Sequence, residues 1–243
     1  MFSSWEDFLG TPCYVVNMDR CKDRWSLSYE RISSAGFRNI NRFDAVDATC
    51  DDLTCAWAHH GSPSFDRSDE EFVTYPGKQG CMLSHLNLWK HMIDEHIAVA
   101  TVFEDDVCFH SHWATLGRRY LDATPKDYDV LYLGSQIDHM VDGHIIQTPV
   151  FCTHAYVITN KGARLLYDLL IRDPNGVRTI DCMLIDHMKR HVFQMIRCPF
   201  VWYVWNGLKF LDKQALTDPH WAKRNTGLVF QDVSLGTYVR PWH

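Results

Sequence analysis

The sequence has no CxxC pair, no excess of basic residues and no apolar run long enough to span a bilayer. Its 243 residues include 24 Lys and Arg against 30 Asp and Glu, a formal net charge of −6, which argues against a dedicated nucleic-acid-binding protein. Nearly apolar stretches such as residues 97–103 are far shorter than the roughly 20 residues of a membrane-spanning helix. Without CxxC pairs, neither a zinc ribbon nor a thioredoxin-like site is indicated.

The N-terminus and the cysteines bear on location and domain organisation. The first ten residues carry two acids and no apolar run, which indicates neither a signal peptide nor a membrane anchor. Nine cysteines, an odd number spread along the chain, predict free and mostly buried thiols in a reducing compartment. We therefore expect a cytoplasmic protein with one domain over residues 1–243, in which residues 1–10 form an extension and residues 200–243 a covering segment.

The chain opens with a β-α-β pattern. Residues 11–16 predict a strand, and residues 20–35 predict a helix with Asp19 as its N-cap and Gly36 at its left-handed C-terminal position. Residues 38–46 predict the next strand. This order favours a parallel sheet with a ligand site beyond the carboxyl ends of its strands.

The rest of the chain alternates between helical and strand patterns. Residues 51–72 read as a surface excursion with a short helix, and this excursion could act as a mobile lid. The other helices are predicted at residues 78–96, 161–171 and 179–190, and the other strands at residues 97–103, 128–133 (closed by Gly134), 151–159 and 191–197. The alternation predicts an α/β fold with a mostly parallel central sheet flanked by helices.

The sharpest candidate site is the triplet Glu104-Asp105-Asp106, which follows a predicted buried strand. Three neighbouring carboxylates repel one another, and no Lys or Arg is adjacent in sequence to neutralise them. Folding tolerates such a cluster most easily if a cation binds there. Oxygen ligands suit Mg²⁺ or Mn²⁺, which also accept diphosphate oxygens. A solvated acidic loop is the alternative, and spacing alone leaves both interpretations open.

A second candidate is the segment GKQGCMLSH at residues 77–85. Two glycines ahead of a helix let the backbone approach a ligand, and free amides at a helix start favour phosphate or sugar oxygens. Gly80, Ser84 and His85 would then face the ligand. A plain turn into a helix, with His85 in the core, explains the same residues.

Polar residues after the first strand form a third group. Asn17 could bond a base, and Arg20 or Arg24 could bond a diphosphate, with Asp19 beside them. Capping and helix-surface charge are the alternative interpretation of this group.

Asp181, near the start of a predicted helix, could act as a general base that deprotonates an acceptor hydroxyl. The helix dipole also attracts Asp to such positions, so a structural role stays open. On the same helix, His187 and His191 lack the Glu of a zinc-protease motif, which favours a plain helix surface. His110 and His112 are interpreted as local, although either could approach a metal.

Seven blocks in this order resemble glycosyltransferase family 25, which includes bacterial lipooligosaccharide galactosyltransferases, animal collagen galactosyltransferases and relatives in large DNA viruses. The match runs from about residue 14 to residue 199 and fades beyond it. The blocks are YVVNMDR with DR (14–24), FDAVD (43–47), GKQGCMLSH with Trp89, VFEDDV (102–107), YDVLYLG (128–134), THAYVITNKGARLL (153–166) and TIDCML (179–184).

The resemblance implies a GT-A type α/β fold, a UDP-sugar donor, a divalent metal that is usually Mn²⁺, and inversion at the anomeric carbon. By the matching positions, it assigns the metal to Asp106 with Glu104 or Asp105, the nucleotide to Asn17, Asp19, Arg20 and Arg24, the donor to Gly80, Ser84 and His85, and the base to Asp181. The chain departs from the pattern at Lys78, where the family has Glu, which reverses a charge beside the expected donor.

The function expected from the resemblance is transfer of a hexose, galactose first and glucose next, from a UDP-sugar to a hydroxyl of a glycan or a hydroxylated protein or peptide. Two rival functions remain. One is a catalytically degenerate relative that binds sugars or partners. The other is a metal-dependent hydrolase that uses water as its acceptor. The single copy of the motif set fits a bacterial or viral cytoplasmic protein better than an animal secretory one.

Overall fold

The computed structural model describes residues 2–65, 70–137, 141–207 and 225–236. Parts of the predicted excursion (66–69) and of the predicted covering segment (208–224 and 237–243) lie outside the described residues. In the described ranges, no helix combines the length and apolarity that crossing a membrane requires.

Eight helices and ten strands make up the regular structure of the described residues. The helices are α1 (Trp5–Gly10), α2 (Lys22–Ser34), α3 (Leu53–Ala58), α4 (Glu70–Thr74), α5 (Pro76–Asp94), α6 (Trp113–Ala123), α7 (Asn160–Ile171) and α8 (Ile180–Gln194). The strands are β1 (Pro12–Asn17), β2 (Asn39–Asp44), β3 (Val99–Glu104), β4 (Val107–Phe109), β5 (Val130–Gln136), β6 (Ile145–Ile146), β7 (Phe151–Thr159), β8 (Trp202–Trp205), β9 (Asn225–Gly227) and β10 (Val229–Gln231).

The central sheet has the strand order β2-β1-β3-β7-β5-β8-β6, with β9 paired to β5. Strands β1, β2 and β3 are mutually parallel, and β7 runs antiparallel between β3 and β5. Strand β8 is parallel to β5. Five of the eight strands therefore run in one direction, which confirms the predicted α/β fold with a mostly parallel sheet.

Apolar side chains fill both faces of this sheet. Helix α5 buries Met82, Leu86 and Trp89 against one face together with residues of α7 and α8, as its apolar spacing predicts. On the other face, aromatic side chains of α1 and α6, such as Phe8 and Trp113, pack on the sheet. Strand β3 is covered on both faces, so the acidic triplet begins where a fully buried strand ends.

Helix α2 begins later than predicted. Cys21 is its N-cap, and no side chain bonds the first turn, so the assignment of Asp19 as N-cap is wrong. Asp19 lies at the surface instead, where its exposed carboxylate pairs with Lys22 and Arg42. Gly36 has a φ of +100° after the helix end, which confirms the predicted left-handed position.

The predicted strand at residues 191–197 is wrong. Helix α8 continues to Gln194, and its C-cap residue Met195 adopts a left-handed backbone with a φ of 57°. Strand β8 follows at Trp202–Trp205 and lies inside the sheet. The strand predicted to close at Gly134 instead continues through it, as β5, to Gln136. Gly134 is required there because the backbone of Val229 lies so close that any Cβ would collide with it.

The excursion at residues 51–72 is packed rather than lid-like in its described part. Trp57 and Phe72 are buried in the same core as α5, and His60 bonds Asn87 and Tyr167 at 2.9 Å each. The described part of the segment is therefore anchored in the core by these buried side chains, which argues against a lid in that part.

The thiols are all free, as predicted, but they are not mostly buried. Cys13, Cys21 and Cys198 are buried, whereas the other six are partly or fully exposed. Several of these six lie on helix faces or strand ends near the carboxylates described below.

Candidate functional site

The site is a cleft at the carboxyl ends of the parallel strands. Asn17 lies opposite Asp44 on β2, and Val16 lies opposite Glu104 on β3, so β1, β2 and β3 end at one edge of the sheet. A cavity of about 180 Å³ opens there. Its polar lining consists of Arg20, Arg24, Asp47, Thr49, Cys81, Ser84, His85, Glu104, Asp105, Asp106 and Gln231.

Most of the predicted site residues meet in this cleft. Of the eleven predicted residues, Arg20, Arg24, Ser84, His85, Glu104, Asp105 and Asp106 line it. Asn17, Gly80 and Asp181 are not among its lining residues, and Asp19 lies exposed at the surface. A larger open groove, about 660 Å³ beside α6, contains none of the predicted residues. The sequence prediction therefore identified the smaller cavity.

Asp105 is held by two side chains from the β1–α2 region. The buried amide of Asn17 donates to Oδ2 of Asp105 at 2.6 Å, and the guanidinium of Arg24 pairs with the other oxygen. Burial raises the pKa of Asp105, while Arg24 and Asn17 oppose that rise. Asn17 thus positions the acidic loop. No Lys or Arg is adjacent to the triplet in sequence, but Arg24 is adjacent to it in space and offsets part of its negative charge.

Glu104 is fixed by the opposite wall of the cleft. Oε1 of Glu104 lies 3.4 Å from Nε2 of His85 and accepts a hydrogen bond of 3.0 Å from the hydroxyl of Thr153. Burial alone would raise the pKa of Glu104, but the hydrogen bond and charge of His85, the charge of His154 and the hydrogen bond from Thr153 together outweigh it, so that the pKa lies below its usual range. Glu104 is therefore a carboxylate within the cleft.

Asp106 is the least satisfied of the three carboxylates. Its Oδ1 is buried and has no hydrogen-bond partner among the described residues, and its Oδ2 lies 3.5 Å from Arg24. Burial and the charge of Glu104 raise the pKa of Asp106 to about 8. An orphaned carboxylate oxygen beside other carboxylates fits a hard divalent cation, which would supply the missing partner. The metal assignment itself stays a prediction.

Gly80 and Ser84 build the cleft wall from inside α5. Both glycines of the 77–85 segment lie within α5, which begins at Pro76, so the prediction that they precede the helix is wrong. The hydroxyl of Ser84 donates to the Gly80 carbonyl at 2.6 Å and accepts from the backbone N–H of Val46 at 2.9 Å. These contacts attach the loop after β2 to the helix. Lys78, also buried, does not line the cleft.

We expect Gly80→Ala to destabilise the fold, because a Cβ at Gly80 would stand 2.8 Å from the carbonyl oxygen of Val46. Alanine favours a helix by up to about 1 kcal/mol over glycine, but overpacking costs about 1–3 kcal/mol. Urea denaturation measures the net loss. Gly10→Ala is the matched control, since a Cβ there meets only the flexible end of Arg38. Equal stability of Gly80→Ala and wild type would contradict this role.

Arg20 is oriented by a residue that the sequence prediction did not assign to the site. Its guanidinium pairs with the carboxylate of Asp47, which also accepts hydrogen bonds from the backbone and hydroxyl of Thr49. The Arg20 bond outweighs burial and lowers the pKa of Asp47 to about 2. Asp47 lies in the matched FDAVD block, and that block was the only signal for it.

We expect the stabilisation from Asp47 to depend on pH. Its pKa is lowered to about 2 from the ordinary value of 3.8, so the contribution is present above about pH 4 and lost as the pH falls towards 2. Arg20 is 41% exposed, which limits the contribution to about 1 kcal/mol. Urea denaturation of wild type and Asp47→Asn should show a difference at about pH 6 that shrinks by about pH 3. A difference that does not change with pH, or one matched by the exposed Asp122→Asn, would refute this account.

Asp181 lies in the first turn of α8 and does not line the cleft. The backbone N–H groups of Cys152 and Cys182 donate to its carboxylate. Burial raises the pKa of Asp181, and the charge of Glu104 adds to the rise. The structure thus brings Asp181 within electrostatic reach of Glu104. Its role as the general base stays a prediction.

Sequence reasoning missed three residues around Glu104 and His85. Cys81, four residues before His85 on α5, lines the cleft, and its place in the matched block was a usable signal. Thr153 and Tyr156 arrive from β7; they also lie in a matched block (153–166), but the sheet order decides that they reach Glu104 and His85. His110 and His112 contact each other, as expected for a local pair. Nδ1 of His110 accepts from the backbone of His112.

Comparisons with known proteins agree with the sequence motifs. The family model described as "Glycosyltransferase family 25 (LPS biosynthesis protein)" matches residues 11–149. Procollagen galactosyltransferase 1-A of Xenopus laevis is 31% identical over 102 residues, which cover 37% of this chain and 17% of that protein. Inactive glycosyltransferase 25 family member 3 of Homo sapiens is 31% identical over 101 residues, with the same coverages.

Two further similarities are longer but weaker. A glycosyltransferase 25 family member of Anopheles gambiae is 24% identical over 165 residues, which cover 63% of this chain and 28% of that protein. A crystal structure of a glycosyltransferase involved in the glycosylation of the major capsid of PBCV-1 has a TM-score of 0.45 and 9% identity over 94% of both chains.

The aligned part of this chain spans 17% of the length of the Xenopus and human relatives. The family model nevertheless covers more than half of the chain, from the first strand through the acidic triplet and β5. The blocks quoted from β1, α5 and β3 all fall within the matched residues. This protein belongs to glycosyltransferase family 25.

Proposed function

We propose that the chain is a metal-dependent, inverting glycosyltransferase that moves a hexose from a UDP-sugar to a hydroxyl of a glycan or protein acceptor. Galactose is the first expected sugar and glucose the second. The observation that carries the proposal is the buried Oδ1 of Asp106, which has no hydrogen-bond partner in the part of the chain that the structure describes and lies at the edge where three parallel strands end. Family membership supports the same activity.

In this proposal, Asp106 and Glu104 would hold Mn²⁺ or Mg²⁺, with Asp105 fixed behind them by Asn17 and Arg24. The ion supplies Lewis-acid stabilisation for the departing diphosphate. Arg24 and Arg20 line the same cleft and add positive charge for phosphate oxygens. The wall of α5 restricts the space left for the nucleotide and sugar.

Inversion requires a base on the face of the sugar opposite UDP. The proposed base is Asp181, whose raised pKa makes it a better proton acceptor than an exposed carboxylate. Its two backbone hydrogen bonds would keep the carboxylate oriented while the acceptor hydroxyl loses its proton. This role separates Asp181 from the metal carboxylates.

The test is a panel of UDP-sugars with Mn²⁺ and candidate glycan and hydroxylated-peptide acceptors, read out as UDP release. We expect one donor to be favoured and activity to vanish in EDTA. Calorimetric titration of UDP in the presence and absence of Mn²⁺ provides a binding readout that does not depend on the acceptor. UDP that fails to bind under any of these conditions would overturn the proposal.

A catalytically degenerate, sugar-binding relative is the second candidate. One specific observation favours it: the human relative that is 31% identical to this chain over 101 residues is named as inactive. The same panel separates the two candidates. UDP and Mn²⁺ binding without turnover of any donor, in transfer or in hydrolysis, would favour the degenerate function.

A further inference from the structure

Three side chains of different chemistry, those of Cys81, His85 and Glu104, converge on the wall of the cleft. Cys81 and His85 lie four residues apart on α5 and therefore share a helix face. Among the residues that the structure describes, a thiol Sγ, an imidazole nitrogen and a carboxylate oxygen from Cys81, His85 and Glu104 all lie within 4.8 Å of one another. Thiolate, imidazole and carboxylate are the three ligand types that Zn²⁺ takes in proteins.

The distances suit a single tetrahedral ion. Nε2 of His85 lies 3.4 Å from Oε1 of Glu104. Two such ligands, each about 2.0–2.1 Å from a tetrahedral Zn²⁺, are separated by about 3.3 Å. A thiolate at about 2.3 Å from the ion would lie about 3.6 Å from each of them, and Sγ of Cys81 already lies within 4.8 Å of both.

The residues behind the cluster already orient the ligands. Nδ1 of His85 bonds the hydroxyl of Tyr156 at 2.8 Å, and that hydroxyl also accepts from Nε1 of Trp89 at 3.0 Å. With Nδ1 engaged there, Nε2 is the ring nitrogen that faces the cleft. Thr153 donates to Oε1 of Glu104 at 3.0 Å. Outer hydrogen bonds of this kind fix the tautomer and orientation of metal ligands.

The local charge also favours a cation. The carboxylate of Glu104 lies within 4.8 Å of the Cys81 thiol, and the carboxylates of Asp105 and Asp106 line the same cleft. A divalent cation would be attracted by the same carboxylates, and on binding it would displace the thiol proton.

We propose that Cys81, His85 and Glu104 form a binding site for a thiophilic divalent cation of the Zn²⁺ class, with its fourth position open to the cleft. Three protein ligands plus one open position is the arrangement of accessible zinc sites. Thiolate selects Zn²⁺ over Mn²⁺ and Mg²⁺, which prefer oxygen ligands. One consequence rests on the proposed function: an ion held here would take Glu104 from the oxygen-ligand site and inhibit Mn²⁺-dependent transfer.

The test uses the full chain, reduced and freed of metal. Titration with Co²⁺ should give a thiolate-to-cobalt absorption band at one equivalent, and added Zn²⁺ should remove it. Cys81→Ser should lose the band and bind Zn²⁺ more than about 100-fold more weakly by calorimetry. Tyr156→Phe should weaken binding about 10-fold to 100-fold, the usual loss for an outer contact. Cys55→Ser, an exposed cysteine on α3, should match wild type.

A wild-type chain without the cobalt band, or a band that persists in Cys81→Ser, overturns the site. The wild-type titration needs no variant, and thermal unfolding of each metal-free variant identifies any that has lost its fold. The two proposals fail separately. A cobalt band without UDP-sugar turnover supports the site and counts against the proposed function. Mn²⁺-dependent turnover without a cobalt band overturns the site alone.

Discussion

Asp106→Asn is expected to reduce Mn²⁺-dependent transfer by about 1,000-fold or more and to raise the thermal stability of the metal-free protein. The activity loss follows because Lewis-acid stabilisation of a leaving diphosphate supplies several kcal/mol, and about 4 kcal/mol corresponds to about 1,000-fold in rate. The stability gain follows because Asn removes a carboxyl whose pKa is raised to about 8 by burial and by Glu104. Each kcal/mol gained raises the Tm by about 2–4 °C.

The two readouts together separate a functional loss from an unfolded variant. UDP release measures the first, and a thermal melt in EDTA at neutral pH measures the second. The sign of the stability change is fixed by linkage: a carboxyl whose pKa rises on folding destabilises the fold above its unfolded pKa, and neutral pH lies in that range. Asp122→Asn, an exposed position on α6, is the control. Retained metal-dependent activity in Asp106→Asn would refute the metal assignment.

Asp181→Asn is expected to lower transfer by about 100-fold to 10,000-fold, the range that general base catalysis contributes. UDP and Mn²⁺ binding should stay within about twofold of wild type, because Asp181 does not line the nucleotide cleft. Initial rates at saturating donor and calorimetry with UDP and Mn²⁺ make the two measurements. The loss should therefore appear in kcat rather than in the KM for the donor.

Asp186→Asn is the matched control for this prediction. Asp186 lies on the same helix, five residues later, and pairs with Arg178 at 2.9 Å while remaining 40% exposed. Its substitution should leave transfer within about twofold of wild type. If both variants lose activity equally, the loss reflects the helix and not a proton acceptor at Asp181.

The local features of the site follow from the sequence. A run of apolar residues ending in Glu104-Asp105-Asp106 predicts a buried strand with carboxylates at its end, and the structure has this strand as β3. Strand β7 was predicted with its observed bounds, but its direction was not, because a buried strand has the same apolar pattern whether it runs parallel or antiparallel. The sheet order, which brings Thr153 and Tyr156 to Glu104, therefore lay beyond the sequence.

The sequence prediction erred or stayed open where a residue's partner is distant in the chain. For Asn17 the sequence left a base contact and a structural role open, and in the structure its amide donates to Asp105. Residues 191–197 contain enough apolar residues for a short strand, but helix α8 continues through four of them. In both cases tertiary contacts selected one of several local options that the sequence left nearly equal in free energy.

The sequence by itself determined the family, the β-α-β opening, the helix faces and the position of the acidic triplet, because each depends on residue type and short-range spacing. The tertiary structure alone decided which charges meet. It paired Arg24 with Asp105, left Oδ1 of Asp106 without a partner in the described residues, and brought a thiol and an imidazole from α5 to Glu104. These contacts depend on how buried elements pack, and packing is a property of the whole core rather than of any segment.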